Sequence, residues 1–177
     1  MHTLHQAVAQ CRTLVVEGPD GIGRSGLLTE LARHGFLIRR AREQLHQVDP
    51  CRPYRELLAA PGLLAVNGSI IHELVYGPLR RGHSRVTWIQ ALDFAEAVAE
   101  RDGALVHLTA PQDQTVSQRQ QDMEGAEEIR AYERAFRTLA RHVPVVTVDI
   151  AGLGPPIRAP ASSPFQLGQG TGKLTVG

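Results

Sequence analysis

The stretch of sequence that decides the fold reads Thr13-Leu-Val-Val-Glu-Gly-Pro-Asp-Gly-Ile-Gly-Arg-Ser-Gly-Leu-Leu28. Its apolar run from Leu14 to Val16 is typical of a buried strand, and a glycine-rich turn follows from Gly18. From Ser25 onward the apolar residues recur at helical spacing, at Leu27, Leu28 and Leu31. A strand, a glycine-rich turn and a helix in this order predict a phosphate-binding loop.

The turn fits the phosphate-loop pattern Gly-x-x-x-x-Gly-Lys-Ser with one departure, since Arg24 takes the place of the lysine. The glycines let the backbone curl so that N–H groups point at an anion, and the helix adds the positive end of its dipole. The alternative is a glycine turn that only joins a strand to a helix. We predict that the loop binds nucleotide phosphates through residues Gly18, Asp20, Gly21, Ile22, Gly23, Arg24, Ser25 and Gly26.

The length and charge of the chain indicate one ordinary domain without a strongly charged surface. It has 177 residues, with 19 Lys and Arg against 18 Asp and Glu, and a formal net charge of +1. This balance does not favour binding to nucleic acid or to a membrane surface. The sequence shows no signal peptide and no bilayer-spanning apolar run, and Cys11 and Cys51 have no metal-ligand or redox spacing. We expect a cytoplasmic protein.

Strand and helix patterns alternate along the rest of the chain. Apolar runs predict four further strands, at 36–38, 63–66, 104–108 and 144–148. Helices are predicted at 54–60, from a cap at Ser69 to a stop at Gly77-Pro78, at 85–101 and at 127–141. This alternation predicts an α/β fold whose parallel sheet is covered by helices on both faces. Because Pro, Gly and Ser become frequent near its end, we predict a domain at 1–150 and a tail with little structure at 151–177.

Some side chains in these helices allow two interpretations. Arg80, Arg81 and Arg85 form a basic turn after the predicted helix stop, and a solvated helix junction is favoured there over a phosphate or acceptor site. The helix at 85–101 is expected to bury Val86, Ile89, Leu92, Ala95 and Ala99. Trp88 and Phe94 are expected to pack in the core rather than stack on a base, and His107 is expected to lie inside its strand.

Several segments together resemble the thymidylate kinase-like nucleotide kinases, a family of P-loop NTPases. Glu17-Gly-Pro-Asp-Gly-Ile-Gly-Arg-Ser25 resembles the opening loop of that family, and Ser69-Ile-Ile-His-Glu-Leu-Val-Tyr-Gly-Pro78 resembles a helix of its phage and bacterial members. Residues 106–111, 132–136 and 143–149 resemble the strand before the lid, the closing helix and the last strand. The resemblance spans about 13–150. It implies a three-layer P-loop NTPase fold with a five-stranded parallel sheet.

The resemblance also implies an activity, the transfer of the γ-phosphoryl group of ATP, with Mg²⁺, to a nucleoside or a nucleoside monophosphate. The backbone N–H groups from Asp20 to Ser25 would hold the donor phosphates, and the Ser25 hydroxyl would hold Mg²⁺. Arg24 would stand in for the lysine, and Arg119, or Gln118 beside it, would be the arginine that the lid offers to the transferring group.

The chain departs from the family at the end of the third strand. An Asp-Arg pair is replaced there by Asn67 and Gly68, so a catalytic carboxylate and a phosphate-binding arginine are both missing. Asparagine carries no charge and is a poor base. Glu17, Asp20 and Glu73 remain as possible magnesium ligands or bases.

Two functions therefore stay open at this point. In the first, the chain is an active kinase with Arg24, Arg119 and Asn67 at catalytic positions, acting on a deoxynucleoside monophosphate or a related acceptor such as a hydroxymethylated base in DNA. In the second, it is a catalytically impaired subunit that binds a nucleotide or a protein partner. The resemblance also implies a possible homodimer.

Overall fold

The computed structural model describes residues 3–40, 49–109 and 119–150, with the side chains of 119–124 excepted. Within these residues the chain forms five strands, β1 Thr13–Glu17, β2 Leu37–Arg40, β3 Leu64–Asn67, β4 Gly103–Thr109 and β5 Val145–Asp149. It also forms six helices, α1 Leu4–Gln10, α2 Arg24–Arg33, α3 Arg52–Leu58, α4 Ile70–Arg81, α5 Trp88–Ala99 and α6 Arg119–Leu139. The predicted tail at 151–177 lies outside the described residues.

The strands form one parallel sheet in the order β2-β3-β1-β4-β5. Successive residues of β1 face opposite sides, so Val15 belongs to one core and Leu14 and Val16 belong to the other. The first core contains buried side chains of α3, α4, α5 and α6, and the second contains those of α1 and α2. The predicted three-layer arrangement, with helices on both faces of the sheet, is confirmed.

The register of the strands brings their carboxyl ends together beside β1. Asn67 pairs with Val16 on one side and with Arg40 on the other, and Glu17 pairs with His107. The strand order reverses direction at β1, and such a switch point opens a crevice outside the carboxyl ends of the strands. The glycine-rich loop leaves β1 at this crevice.

The predicted end of α4 at Gly77-Pro78 is wrong. Ser69 caps the helix, accepting a hydrogen bond from the Ile71 N–H at 3.1 Å, but the helix continues through Pro78 to Arg81 and ends at Gly82, whose φ is 76°. Proline removes one N–H donor, yet its φ is compatible with a helix. Ion pairs from the last turn of α4, described below, favour the extra turn.

The buried face of α5 also differs from the prediction. A capping box between Thr87 and Gln90 starts the helix, and its buried residues are Ala91, Phe94, Ala95 and Val98. Phe94 is in the core as expected, whereas Trp88 is 46% exposed and Ile89 is 72% exposed. The two alanines are fully buried, and they let α5 approach the sheet closely, so the small side chains set the orientation of the helix.

The last helix, α6, begins eight residues before its predicted start, at Arg119 rather than at 127. It buries Tyr132, Phe136 and Leu139, while Ile129 is half-buried. His107 is buried and stacks on Phe136, with ring centroids 4.3 Å apart. Within the described part of the chain, no helix is both long enough and apolar enough to cross a membrane.

Candidate functional site

The glycine-rich loop connects β1 to α2 in the conformation that its sequence predicts. Gly21 and Gly23 have φ values of 78° and 81°, in the left-handed region that favours glycine, and Gly23 is the N-cap of α2. A Cβ on Gly18 would lie 2.9 Å from the carbonyl oxygen of Leu108, so the start of the loop packs tightly against β4. Among the described residues, a Cβ on Gly21 or on Gly26 would meet no atom within 4 Å. Both positions therefore face open space with respect to this part of the chain.

One N–H group of the loop is already engaged. Asp20 donates its backbone N–H to the Tyr76 hydroxyl at 2.9 Å and to Oε1 of Glu128 at 3.1 Å. The Tyr76 hydroxyl in turn donates to Glu128. Burial raises the pKa of Glu128, and the bond from Asp20 only partly offsets this effect. In this arrangement a carboxyl group from α6 occupies the edge of the loop.

A cavity of about 520 Å³ lies beside the loop, at the carboxyl ends of β2 and β3. Asn67, Gly68 and Ser69 line it at the end of β3. Its basic residues come from β2, from the start of α2 and from the end of α4 with its following turn, and within the described residues they are Arg24, Arg40, Arg80, Arg81 and Arg85. Asp20 and Glu73 also line the cavity, so its walls carry more positive than negative groups.

Arg24 points its guanidinium group toward the end of β3. Its Nη1 lies 3.7 Å from Oε2 of Glu17, and its Nη2 lies 3.3 Å from Oδ1 of Asp20. Arg80 pairs with the other oxygen of Asp20 at 3.1 Å and lies over the ring of Tyr76, 4.3 Å from its centroid. Asp20 thus links an arginine of α2 to an arginine of α4.

Glu73 binds the other two arginines of this wall. It accepts hydrogen bonds from Arg81, from the Arg85 backbone at 2.9 Å and from the Arg85 side chain at 3.2 and 3.3 Å. Burial raises the pKa of Glu73, but the bonds from Arg85 and Arg81 outweigh burial and lower it to about 2. Glu73 is therefore ionised at neutral pH and fixes both arginines at the cavity.

Glu17 is fully buried beneath the cavity at the end of β1. Its Oε1 accepts the N–H of Ser69, and within the described residues its Oε2 has no hydrogen-bond partner. Burial raises the pKa of Glu17 to about 7, and Ser69 and Arg24 only partly offset this. His72, which lines the cavity, packs on Tyr76, and burial lowers the pKa of its imidazole.

The structure brings most of the predicted site residues together, in two adjoining places. The loop from Gly18 to Gly26 lies at the end of β1, and Asn67 is the last residue of β3, in the cavity wall. Arg119 is the first residue of α6, and its side chain is not among those described. Gln118 lies outside the described residues.

Arg80, Arg81 and Arg85 are each more than a third exposed, as the interpretation of a solvated junction predicts, and all three also line the cavity and pair with its carboxylates. Sequence reasoning also missed Arg40 and Tyr54 as lining residues. For Arg40 a signal existed, since it lies two residues beyond the strand predicted at 36–38, and the carboxyl ends of parallel strands meet at one edge. Tyr54 carried no comparable signal.

No family model matches the chain, and no curated protein matches it. Among solved structures, it is similar to the YorR protein of Bacillus subtilis, whose crystal structure is a complex with phosphorylated GDP. The TM-score is 0.63 at 13% sequence identity, over 78% of this chain and 86% of YorR. At this identity the similarity concerns the fold alone, and it supports the α/β fold, with a parallel sheet between two layers of helices, that the strand order shows.

Proposed function

We propose that this protein is a nucleotide-kinase-like P-loop protein that transfers the γ-phosphoryl group of ATP to a phosphate-bearing acceptor. The donor phosphates would lie along the loop from Gly18 to Gly26. The acceptor, a deoxynucleoside monophosphate or a related nucleotide, would lie in the adjoining cavity. The reaction needs positioning and charge neutralisation more than covalent chemistry from the protein.

The observation that carries this proposal is the set of arginines in the cavity beside the loop. Among the described residues, five arginines line the cavity. Four of them, Arg24, Arg80, Arg81 and Arg85, share the three carboxylates of Glu17, Asp20 and Glu73. This excess of positive charge suits a ligand with a phosphate group, because arginine binds phosphate through a planar set of N–H donors. A nucleoside without a phosphate would leave the excess charge uncompensated.

The residues of the loop fit a magnesium–nucleotide donor. Ser25 is exposed in the first turn of α2, and no atom of the described residues fills the space beside Gly21 and Gly26. Within the part of the chain that the structure describes, no cluster of His, Cys, Asp and Glu could hold a metal ion. In this proposal the Ser25 hydroxyl is the protein ligand, and the nucleotide supplies the rest. Mg²⁺ bound there would neutralise charge on the donor phosphates.

The similarity to YorR supports a nucleotide ligand, because the YorR structure holds phosphorylated GDP. At 13% identity the similarity concerns the fold, so the choice of ATP rests on the resemblance of the loop sequence to nucleotide kinases, and that of a phosphate-bearing acceptor rests on the cavity. Arg119 enters the proposal as the lid arginine that stabilises the transferring group, at the start of α6.

A second function, nucleotide binding without phosphoryl transfer, is favoured by three observations at the same site. Asn67 supplies no carboxylate at the end of β3, and Arg24 is held by Glu17 and Asp20. The N–H of Asp20 is engaged by Tyr76 and Glu128. A protein of this kind would act through a partner that responds to the bound nucleotide.

The test is a transfer assay combined with calorimetry. ATP labelled at its γ-phosphate is incubated with Mg²⁺, the protein and each common deoxynucleoside monophosphate, and labelled diphosphate is measured. Binding of ATP with Mg²⁺ is measured in parallel for the native protein, for Ser25→Ala and for Thr138→Ala. Thr138 is a matched control, because its exposed hydroxyl binds only the Arg134 carbonyl within the described residues.

Transfer that Ser25→Ala abolishes and Thr138→Ala preserves would support the kinase. Binding of ATP that Ser25→Ala weakens, with no transfer to any of these acceptors, would favour the second function. If the native protein binds no ATP, both proposals are wrong.

A further inference from the structure

We propose that Arg24 binds the phosphate of the acceptor rather than those of the donor, and that Gly68 leaves the space in which it does so. This inference rests on the proposed function, since it assigns one residue within that site. The resemblance implies that an arginine at position 68 would bind the acceptor phosphate, and in this chain Arg24 would bind it instead. It also makes a phosphate group on the acceptor a requirement for tight binding.

The first support is the direction of the Arg24 side chain. Although Arg24 begins α2 directly after the loop, its guanidinium lies between Glu17 at the end of β1 and Asp20. It lines the cavity together with Asn67 and Gly68, which end β3. The guanidinium is therefore on the side of the loop where the acceptor would bind.

The second support is the space that Gly68 leaves. A Cβ on Gly68 would lie 3.8 Å from Nη1 of Arg24, so a long side chain at position 68 would extend into the region of the guanidinium. Gly68 has a φ of 80°, a conformation that other residues adopt only with strain. Arg24 thus places a guanidinium at the end of β3, where the resemblance implies one at position 68.

The third support is the chemistry of the group. Guanidinium has five N–H donors in a rigid plane, so it can bind Glu17 and Asp20 and still offer donors to a phosphate. The Arg24 side chain is 20% exposed, which leaves part of it accessible from the cavity. A lysine at this position has a single ammonium group and could not hold both carboxylates in the same way. The two carboxylates thus act as positioning groups for Arg24.

The experiment compares a deoxynucleoside monophosphate with its own nucleoside. Calorimetry measures the affinities of both, and of ATP with Mg²⁺, for native protein, Arg24→Ala and Arg33→Ala. Arg33→Ala is the matched control, because it removes the same charge from the same helix. Arg33 is exposed to solvent and pairs with Glu30. The probe is whichever common deoxynucleoside monophosphate binds the native protein most tightly.

In the native protein we expect the monophosphate to bind more tightly than the nucleoside. Arg24→Ala should reduce this preference by about 10- to 100-fold, the value of one charged hydrogen-bonding contact. Affinity for ATP should change little, and Arg33→Ala should behave like the native protein.

Three outcomes would overturn the inference. If Arg24→Ala weakens ATP binding and leaves the phosphate preference intact, Arg24 serves the donor, and the proposed function stands. An equal loss of affinity for ATP and for the monophosphate also contradicts the inference. If native protein binds neither ligand, the proposed function is wrong, and the inference falls with it. Should Arg24→Ala fail to fold, Arg24→Gln decides, because it removes the charge and keeps a long polar side chain, so a native phosphate preference in that variant refutes the inference.

Discussion

The buried carboxyl of Glu17 makes a prediction about stability that can be worked out in detail. Glu17 has no exposed surface, and its nearest cation is Arg24, at 3.7 Å. Burial raises its pKa from an ordinary 4.5 to about 7, because hydrogen bonds from Ser69 and the attraction of Arg24 compensate only in part. The folded protein therefore binds the proton of this carboxyl more tightly than the unfolded chain does.

The sign and the size follow from linkage. The stability from this group is fully present below pH 4.5 and is lost as the pH rises through about 7. Each pKa unit corresponds to about 1.4 kcal/mol, so the whole loss is about 3 kcal/mol. Between about pH 5 and pH 8, Glu17 should lower the free energy of unfolding by about 2.5 kcal/mol.

His107 acts in the opposite direction and would mask this loss in the native protein. Burial lowers the pKa of its imidazole from 6.5 to about 4. Its contribution is fully present above pH 6.5 and is lost as the pH falls through about 4. Between about pH 5 and pH 8, His107 should raise the free energy of unfolding by about 2 kcal/mol, so its effect nearly cancels that of Glu17. A flat profile of the native protein would not be evidence against either of them.

Comparison of variants separates the two groups. Urea unfolding at about pH 5 and pH 8 is measured for the native protein, Glu17→Gln and His107→Gln. As the pH rises from about 5 to 8, the free energy of unfolding of Glu17→Gln should increase by about 2 to 3 kcal/mol relative to that of the native protein, or by about 5–10 °C in Tm. Over the same rise in pH, the free energy of unfolding of His107→Gln should decrease by about 2 kcal/mol relative to that of the native protein. Exchange of an exposed carboxyl, in Glu56→Gln, is the control.

The reasoning is refuted if the difference between Glu17→Gln and the native protein does not change with pH. That result would mean that the folded and unfolded states bind the proton of Glu17 equally well.

Three further changes test the packing of α4 and α5. Glu73→Gln leaves two arginines of the cavity without their carboxylate, and because both are partly exposed we expect a loss of about 2 kcal/mol, seen as about 4–8 °C in Tm by calorimetry. Thr87→Ala removes the capping box of α5 and should cost about 1 kcal/mol in urea unfolding; an unchanged midpoint would contradict the role of the cap. Gly103→Ala would place a Cβ 2.5 Å from the Val98 carbonyl oxygen and should destabilise by about 1–3 kcal/mol, whereas native stability would show that α5 can move away from β4.

The fold class could be predicted from the sequence because its signals are local. The run Leu14 to Val16, the glycines after it and the apolar spacing from Leu27 onward follow one another within a single strand–turn–helix unit. The backbone conformations of Gly21 and Gly23 follow from the same local pattern. The other strands lie within one or two residues of their predicted bounds for the same reason.

Errors arose where a contact between distant residues overrides a local signal. Gly77-Pro78 is a strong local stop, yet α4 continues to Arg81, whose guanidinium group binds Glu73 in the wall of the cavity. The apolar spacing of α5 predicted a buried Ile89, but close packing of small residues against the sheet turned that side chain outward. In both cases tertiary packing is worth more than the local preference.

The sequence by itself determined that a glycine-rich loop of the phosphate-loop pattern joins the first strand to a helix, since spacing and residue type suffice for that conclusion. Only the tertiary structure decided what stands beside the loop. Arg40 and Arg85 are far apart in the chain, and they meet Arg24 in one cavity because the parallel register aligns the ends of β2, β3 and β1 while α4 runs on past its predicted stop. A charged site assembled from separate strand ends and helix ends depends on long-range geometry, so it cannot be predicted from the periodicity of residues along the chain.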